Sequence, residues 1–398
     1  MSIYDKASLI QIPSGYRAGN LYSVIPNSVA GDFTVTGDAE GDATRVNSQG
    51  LIETVNANVP RLDYPFIDGV VQDCPHLLLE AQSTNYALNS NDASQWSNVG
   101  GSQSITKTAN YATAPDGSLT ATRLQATATG SNYSLISIST TSFTGDYAGS
   151  VYLKSNTGST ENVIVYGRNT SVTSYPIGNE WQRVEIQGSG TSGQNLYLYL
   201  GSFPNNGSDE SIDILVWGGQ LEQGTYPTSY IQTGASTVTR LKDECTNSGN
   251  ADLFNDSEGT LFVDLENFDT TATELTLSNG FADKRITFLF YGSTFGTPNK
   301  IRFFVANGTT QVDSSYSISY TFNQRNKIAF RYKQNDFKAY INGTQVFSDT
   351  SGTIATTLSR FDFANFNATS GFIEGKINQA MVFNEALSDS ELQTLTTL

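Results

Sequence analysis

At 398 residues the chain is too long for one hydrophobic core and points to two or three domains. Charged residues make up only 15%, against roughly 25% in soluble globular proteins, yet 20 Tyr and 22 Phe supply core material and argue against disorder. A formal net charge of −16 repels phosphate backbones and anionic head groups, which disfavours nucleic-acid and membrane-surface partners.

Taken from its start, "MSIYDKASLIQIPSGYRAGN" lacks a basic segment followed by an apolar core, so no signal peptide is expected. No apolar run in the chain approaches the roughly 20 residues of a membrane helix. Residues 1–84 read as an irregular, weakly stranded arm, apolar and aromatic without amphipathic periodicity. Two readings of the arm stand side by side: it orders against a partner protein, or it packs on the unit that follows. Cys74 and Cys245 are too few for a disulfide framework and read as two free, partly buried thiols.

Residues 85–240 form a second unit. There "NVIVYGRN", "QRVEIQG", "QNLYLYLGS" and "SIDILVWGG" alternate or run apolar over strand lengths between Gly, Asn and Ser clusters. Residues 241–258 are charged and polar, as a linker is. Residues 259–398 form a third unit with strands such as "GTLFVDLENF", "RITFLFYG" and "KIAFRYKQ". Asn342-Gly343 between "FKAYI" and "TQVF" predicts a two-residue hairpin turn. One helix is predicted at the end of the chain, with Ser388 as N-cap, Glu391 completing a capping box, and Leu392 and Leu395 on its buried side. The fold class is therefore all-β: tandem jelly-roll β-sandwiches with an irregular N-terminal arm and a short C-terminal helix.

The single histidine, His76, would have to serve any Ser-His-Asp or Cys-His mechanism, and beside Pro75 and three leucines it reads as structural. Glycoside hydrolysis needs only two carboxylates. Glu210 and Asp213 are three apart and would face opposite sides of a strand. Asp264 and Glu266 are two apart and share a face, but Phe262 stands where a third acid would complete an alternating triplet. That pair reads as exposed acids on a half-buried strand, with Ca²⁺ ligation as the alternative use. No other cofactor is suggested, because the glycine-rich spots lack the strand-turn-helix setting of a dinucleotide site.

Trp96, Trp181 and Trp217 read as framework residues. Loop aromatics are better ligand candidates: Tyr291 and Phe295 in a Gly/Pro-rich connection, and Tyr316 and Tyr320, four apart and so on one side of a strand. Asn342 could add an amide fork for sugar hydroxyls.

The block "RNKIAFRYKQNDFKAYINGTQVF" with "GKINQAMVFNEALSDSELQTL" resembles the concanavalin-A-like, laminin-G-like lectin family, which implies a lectin-type sandwich closed by a short helix. The second unit resembles the carbohydrate-binding-module-like sandwiches of bacteriophage fibres. "STNYALNSNDASQWSNVG", "TAPDGSLTATRL" and "DILVWGGQLEQGTYPTSYIQTGASTVTR" carry that likeness. The leader "DATRVNSQGLIETVNANVPRLDY" looks like the segment preceding such a module. The resemblance implies a virion protein of head or tail, released in the particle and commonly homotrimeric. Its arm would attach to other virion proteins, and its lectin-like domains would bind cell-surface polysaccharide without catalysis. A purely structural virion component and a polysaccharide depolymerase are the competing expectations.

Overall fold

The computed structural model describes residues 2–17, 20–37, 42–67, 70–99, 104–128, 132–140, 144–191, 193–200 and 209–398, so the glycine-rich stretch at 100–103 lies outside the described residues. The chain is all-β, and its one described α-helix is the C-terminal Asp389–Thr396. Ser388 caps it as expected, its own N–H donating in return to the Glu391 carboxylate, and Leu392 and Leu395 are buried.

The second unit is a sandwich of two five-stranded antiparallel sheets. One runs in the order Ser97–Asn98, Leu135–Thr140, Asn195–Tyr199, Glu161–Gly167, Thr173–Ile177. The other runs Ile105–Ala112, Ala121–Thr127, Ser211–Gln223, Gly145–Ser155, Gln182–Gly190. Strand alternation sends Leu124, Val151, Leu153, Val163, Val165, Leu196, Leu198, Ile214 and Val216 inward to one core.

The third unit packs a six-stranded sheet against a larger one around a phenylalanine-rich core that includes Phe288, Phe303, Phe330 and Phe337. Asn342 and Gly343 take φ values of 49° and 78° and close the predicted hairpin between Asp336–Ile341 and Thr344–Asp349. On the outer face of the larger sheet, the C-terminal helix covers Phe262, Tyr340 and Met381 with Leu392 and Leu395.

The leader packs on the second unit, as one reading had it, with Ile52 among Ala114, Ala121, Trp217 and Tyr230, and it also joins the third unit. Ala7–Arg17 pairs antiparallel with Gly375–Phe383, and His76–Leu79 pairs with the other end of that same strand. With Asn20–Ile25 and Leu62–Asp63 paired outside them, the leader adds four strands along one edge of the third unit's five and extends the sheet to nine. Leu9, Leu21, Leu77 and Leu79 enter the third unit's core. These leucines of the leader go to the sandwich furthest from it in sequence, because that sandwich offers an open strand edge and apolar space for them.

The segment 241–258 is not a solvated linker. Glu244–Thr246 pairs with Thr34–Thr36, and Cys245 and Phe254 are buried in the third unit's core. Cys74 is exposed, and both thiols are free. The charges around this segment turn inward: Arg61, Glu80, Arg240 and Asp243 form a buried quartet of two cations and two anions. Burial pushes the Glu80 carboxyl up, but the charges of Arg61 and Arg240 outweigh it and hold it at about 2. Its folded pKa lies below the unfolded value. Glu80 therefore stabilises the fold above pH ~4.5, and that contribution is lost as pH falls toward 2. Melting temperature followed from pH 7 to pH 3 should hold above pH ~4.5 and fall steeply below it. A flat profile through this window would refute the quartet's role.

Candidate functional site

The strand Lys284–Tyr291 ends where Gly292 turns the chain, and a Cβ at Gly292 would stand 2.3 Å from the Thr270 carbonyl oxygen, so the close approach requires glycine. Beyond it, Ser293 N–H donates to Asp269 Oδ1 at 2.6 Å and Thr294 Oγ1 to the Thr270 carbonyl at 3.0 Å. This pins Phe295 over Tyr291, with ring centroids 4.4 Å apart.

The chain returns as Lys300–Asn307, and Thr309–Asp313 pairs beside it. Arg302 forks onto Asp313 at 2.7 and 2.6 Å. The hydrogen bond from Arg302 holds the Asp313 carboxyl below the usual range, so the pair stays charged at ordinary pH.

Directly after Asp313 the backbone makes a mirror-image turn. Ser317 N–H donates to the Ser314 carbonyl at 3.2 Å, with Ser315 at φ 42° and Tyr316 at φ 55°. Left-handed backbone at two successive non-glycine residues costs on the order of 1–3 kcal/mol each. Part of that is offset by Asp313 Oδ1, which accepts from Ser315 N–H at 2.8 Å, and by Ser317 Oγ, which donates to Ser314 O at 2.5 Å.

The turn sets the Tyr316 ring 4.8 Å from Tyr291 and 6.4 Å from Phe295, nearly parallel to the latter at 23°. The Arg302 guanidinium lies 5.5 Å from the Tyr316 ring centroid. Tyr291 is buried, Phe295 is half-buried and Tyr316 is 36% exposed. The result is an aromatic platform with a fixed charge pair at its side.

The other sequence candidates fall elsewhere. Tyr320 is in the core against Phe290 and Phe322, at 5.1 and 4.8 Å. Reading "SSYSISY" as one strand put Tyr316 and Tyr320 on one side, but the turn at 314–317 leaves only Ile318–Ser319 as strand. The Asn342 amide is spent on the start of the neighbouring strand Arg325–Lys333: Nδ2 donates to Asn326 Oδ1 and Oδ1 accepts from Lys327 N–H, both at 2.9 Å.

Asp264 and Glu266 share the outer face as expected, but they are not the exposed acids of a half-buried strand. The strand is buried almost throughout, and each acid is tied to a cation of the protein. Asp264, 2% exposed, takes Arg325 at 2.8 and 2.6 Å and Asn378 Nδ2 at 3.1 Å. Glu266 Oε1 lies 3.2 Å from Lys376 Nζ. Flanking strands place Arg325 and Lys376 in register with Glu266, so the acids serve as counter-ions where a Ca²⁺ ligand pair was the alternative. Among the described residues no group of three or more His, Cys, Asp or Glu is placed to hold a metal ion.

His76 is buried with Nε2 2.9 Å from Asp63 Oδ2. Trp96 and Trp217 are buried, and their indole N–H groups donate to Asn89 O at 3.2 Å and Thr120 Oγ1 at 3.0 Å. Trp181 donates to Thr113 O at 3.2 Å.

A second aromatic surface was missed in the sequence. On the second unit, Tyr197 and Tyr199 stand on the central strand of one sheet, outward because Leu196 and Leu198 face the core. Tyr166 lies 6.4 Å from each, and Tyr133 lies 6.2 Å from Tyr199. The alternation in "LYLYL" holds the signal: if the leucines are core, both tyrosines must face out.

Comparison with known proteins bears on this architecture. Residues 254–393 match the family described as the concanavalin A-like lectin/glucanases superfamily. No curated protein matches the chain. Among solved structures, the chain is similar to the CBM40 module of Ruminococcus gnavus IT-sialidase bound to α2,3-sialyllactose, with 14% identity, a TM-score of 0.31, and coverage of 38% of this chain and 94% of that one. Domain 4 of AbnA, a GH43 extracellular arabinanase from Geobacillus stearothermophilus in complex with arabinotriose, gives 15% identity and a TM-score of 0.33 over 41% of this chain and 77% of that one. The NanB sialidase from Streptococcus pneumoniae gives 18% identity and a TM-score of 0.31 over 37% of this chain and 25% of that one.

Proposed function

We propose that the protein is a non-enzymatic, lectin-like adhesin of a bacteriophage particle that binds surface glycans through the Tyr291–Phe295–Tyr316 platform. The observation that carries the reading is the strained turn. Two side-chain-bearing residues in left-handed backbone persist only where the surroundings enforce them, and such outliers cluster at ligand sites. Here the enforced outcome is one exposed tyrosine held flat beside Phe295 and Arg302. Aromatic faces meet the C–H faces of sugar rings, while the Arg302–Asp313 pair offers donors and acceptors to hydroxyls. The lectin-like jelly roll around the platform favours the same reading.

The virion setting draws on the resemblance of the leader and second unit to phage fibres. Assembly as a homotrimer, with the leader also meeting other virion proteins, would multiply shallow sites into useful adhesion. The tyrosine face on the second unit adds a further surface of the same chemistry.

Tyr316→Gly separates function from stability. Glycine accepts positive φ without strain, so the variant should be as stable as wild type or up to ~1 kcal/mol more stable. Loss of the ring should weaken binding about tenfold, corresponding to ~1.4 kcal/mol. Glycan-array binding and host-cell adsorption competition, measured beside thermal melts, check both parts. Wild-type protein that is folded yet binds neither glycans nor cells would leave the purely structural reading.

A further inference from the structure

A cleft of about 460 Å³ opens where the leader and the two sandwiches meet, a size within the roughly 300–1,000 Å³ of ligand pockets. Its walls come from parts of the chain far apart in sequence: Arg45 and Asp63 of the leader, Tyr152, Arg183 and Gln187 of the second unit, the loop Tyr226–Tyr230, and Phe268 and Lys376 of the third. One wall is aromatic. Tyr226 and Phe268 lie 4.8 Å apart, one from each sandwich, and Lys376 Nζ sits 5.8 Å from the Phe268 ring centroid.

The site is held in shape from behind. Glu80, which lines it, belongs to the buried quartet, and accepts from Ser229 N–H at 2.8 Å and Ser229 Oγ at 2.7 Å. Glu222 accepts from Thr228 N–H at 2.9 Å, and Tyr226 Oη donates to Glu374 at 3.2 Å. Arg183 donates to Ser150 Oγ at 2.9 Å and to the Thr228 carbonyl at 2.6 Å. The loop 226–230 is therefore fixed to both sandwiches, the preorganisation that a binding site requires.

The lining also states what it would take. Each charge in it already faces an opposite or polar partner: Arg45 with Glu53 at 2.8 Å, Arg183 with Glu185 at 3.4 Å, Lys376 with Glu266 at 3.2 Å, Asp63 with His76 at 2.9 Å. A charged ligand would have to break one of these pairs, whereas hydroxyl groups can share them as donors and acceptors. We infer that the cleft is a second binding site, for an uncharged, hydroxyl-rich ring compound of mono- to disaccharide size, stacked on Phe268. This inference rests on the cleft's own lining and stands or falls apart from the platform.

The test is saturation-transfer NMR on the full chain with glucose, galactose, mannose, N-acetylglucosamine, cellobiose, maltose and lactose, with glucuronate as the charged control. At least one neutral sugar should show transfer that survives Tyr316→Gly. The same signal should weaken at least tenfold in Phe268→Ala and in Gln187→Trp, which fills the mouth from an exposed position. Transfer from none of the neutral sugars, transfer unaffected by both cleft variants, or stronger binding of glucuronate would each overturn the inference. Loss in Tyr316→Gly alone would place the sugar on the platform and likewise overturn it.

Discussion

Replacing Arg61 by alanine is expected to lower the unfolding free energy by about 3–5 kcal/mol at pH 7, the range for stripping one partner from a buried ion pair. Arg61 is 1% exposed and every donor group it has is engaged. Nη1 meets Glu80 at 2.7 Å, Ser229 Oγ at 2.7 Å and the Thr44 carbonyl at 3.1 Å; Nε meets Asp243 Oδ1 at 3.2 Å, and Nη2 meets the other Asp243 oxygen. Alanine leaves two buried carboxylates facing Arg240 alone, at 3.5 and 3.6 Å.

The effect has a pH signature. In the wild type, Glu80's depressed pKa adds stability above pH ~4.5 that disappears as pH falls toward 2. The variant lacks that contribution, so the gap between the two proteins should narrow as pH drops below ~4.5. Removing the acid as well, in Arg61→Met with Glu80→Leu, should recover part of the loss, because one cation and one anion then remain. Guanidinium denaturation at pH 7 and at pH 4 measures all of this. A loss below ~1 kcal/mol, or one independent of pH, would sink the quartet as a structural keystone.

That quartet also shows where sequence reasoning stops. "RLKDECTNSG" is charged, and a charged stretch between two apolar units reads as solvated linker. Two of its charges, Arg240 and Asp243, are buried because their partners, Arg61 and Glu80, lie some 160 to 180 residues upstream in a leader with no strong periodicity. Pairing across such distances leaves no local trace. What local chemistry dictates was legible: the all-β class, the Asn342-Gly343 hairpin, and the Ser388 cap with Glu391.

The platform was legible by half. Loop placement picked out Tyr291 and Phe295, and spacing on an expected strand picked out Tyr316; the structure brings all three together. Tyr320 was misassigned because a mirror-image turn normally advertises itself by Asn-Gly, and Ser315-Tyr316 carries no such mark. For Asp264 and Glu266 the alternation was right, but the cations that pair with them come from strands far along the chain. The cleft, built from many separate stretches of the leader and both sandwiches, had no sequence signature at all.

Deleting residues 2–25 should cost more than any single substitution, although those residues read as the least structured part of the chain. The deletion removes Leu9 and Leu21 from the third unit's core and Ile10 from the cluster under the C-terminal helix. At about 1.5–3 kcal/mol for each buried aliphatic side chain, the gross loss is roughly 5–9 kcal/mol, comparable to the whole stability of a domain. The ion pairs of Lys6 with Glu385 and Glu391, at 3.1 and 2.7 Å, go with it. The strand Gly375–Phe383 would then expose the edge at Ala380–Phe383 that Ala7–Arg17 covers. An open apolar edge is a template for pairing with another chain, so the truncated protein should aggregate through its third unit. The second sandwich, with a core of its own, should keep its melting transition. Calorimetry and light scattering distinguish the cases, and Leu9→Asp, which puts a charge into the core without shortening the chain, should reproduce the loss of the third unit's transition. A truncated chain that stays monomeric with every transition intact would show the leader to be an appendage and return it to the role of a partner-binding arm.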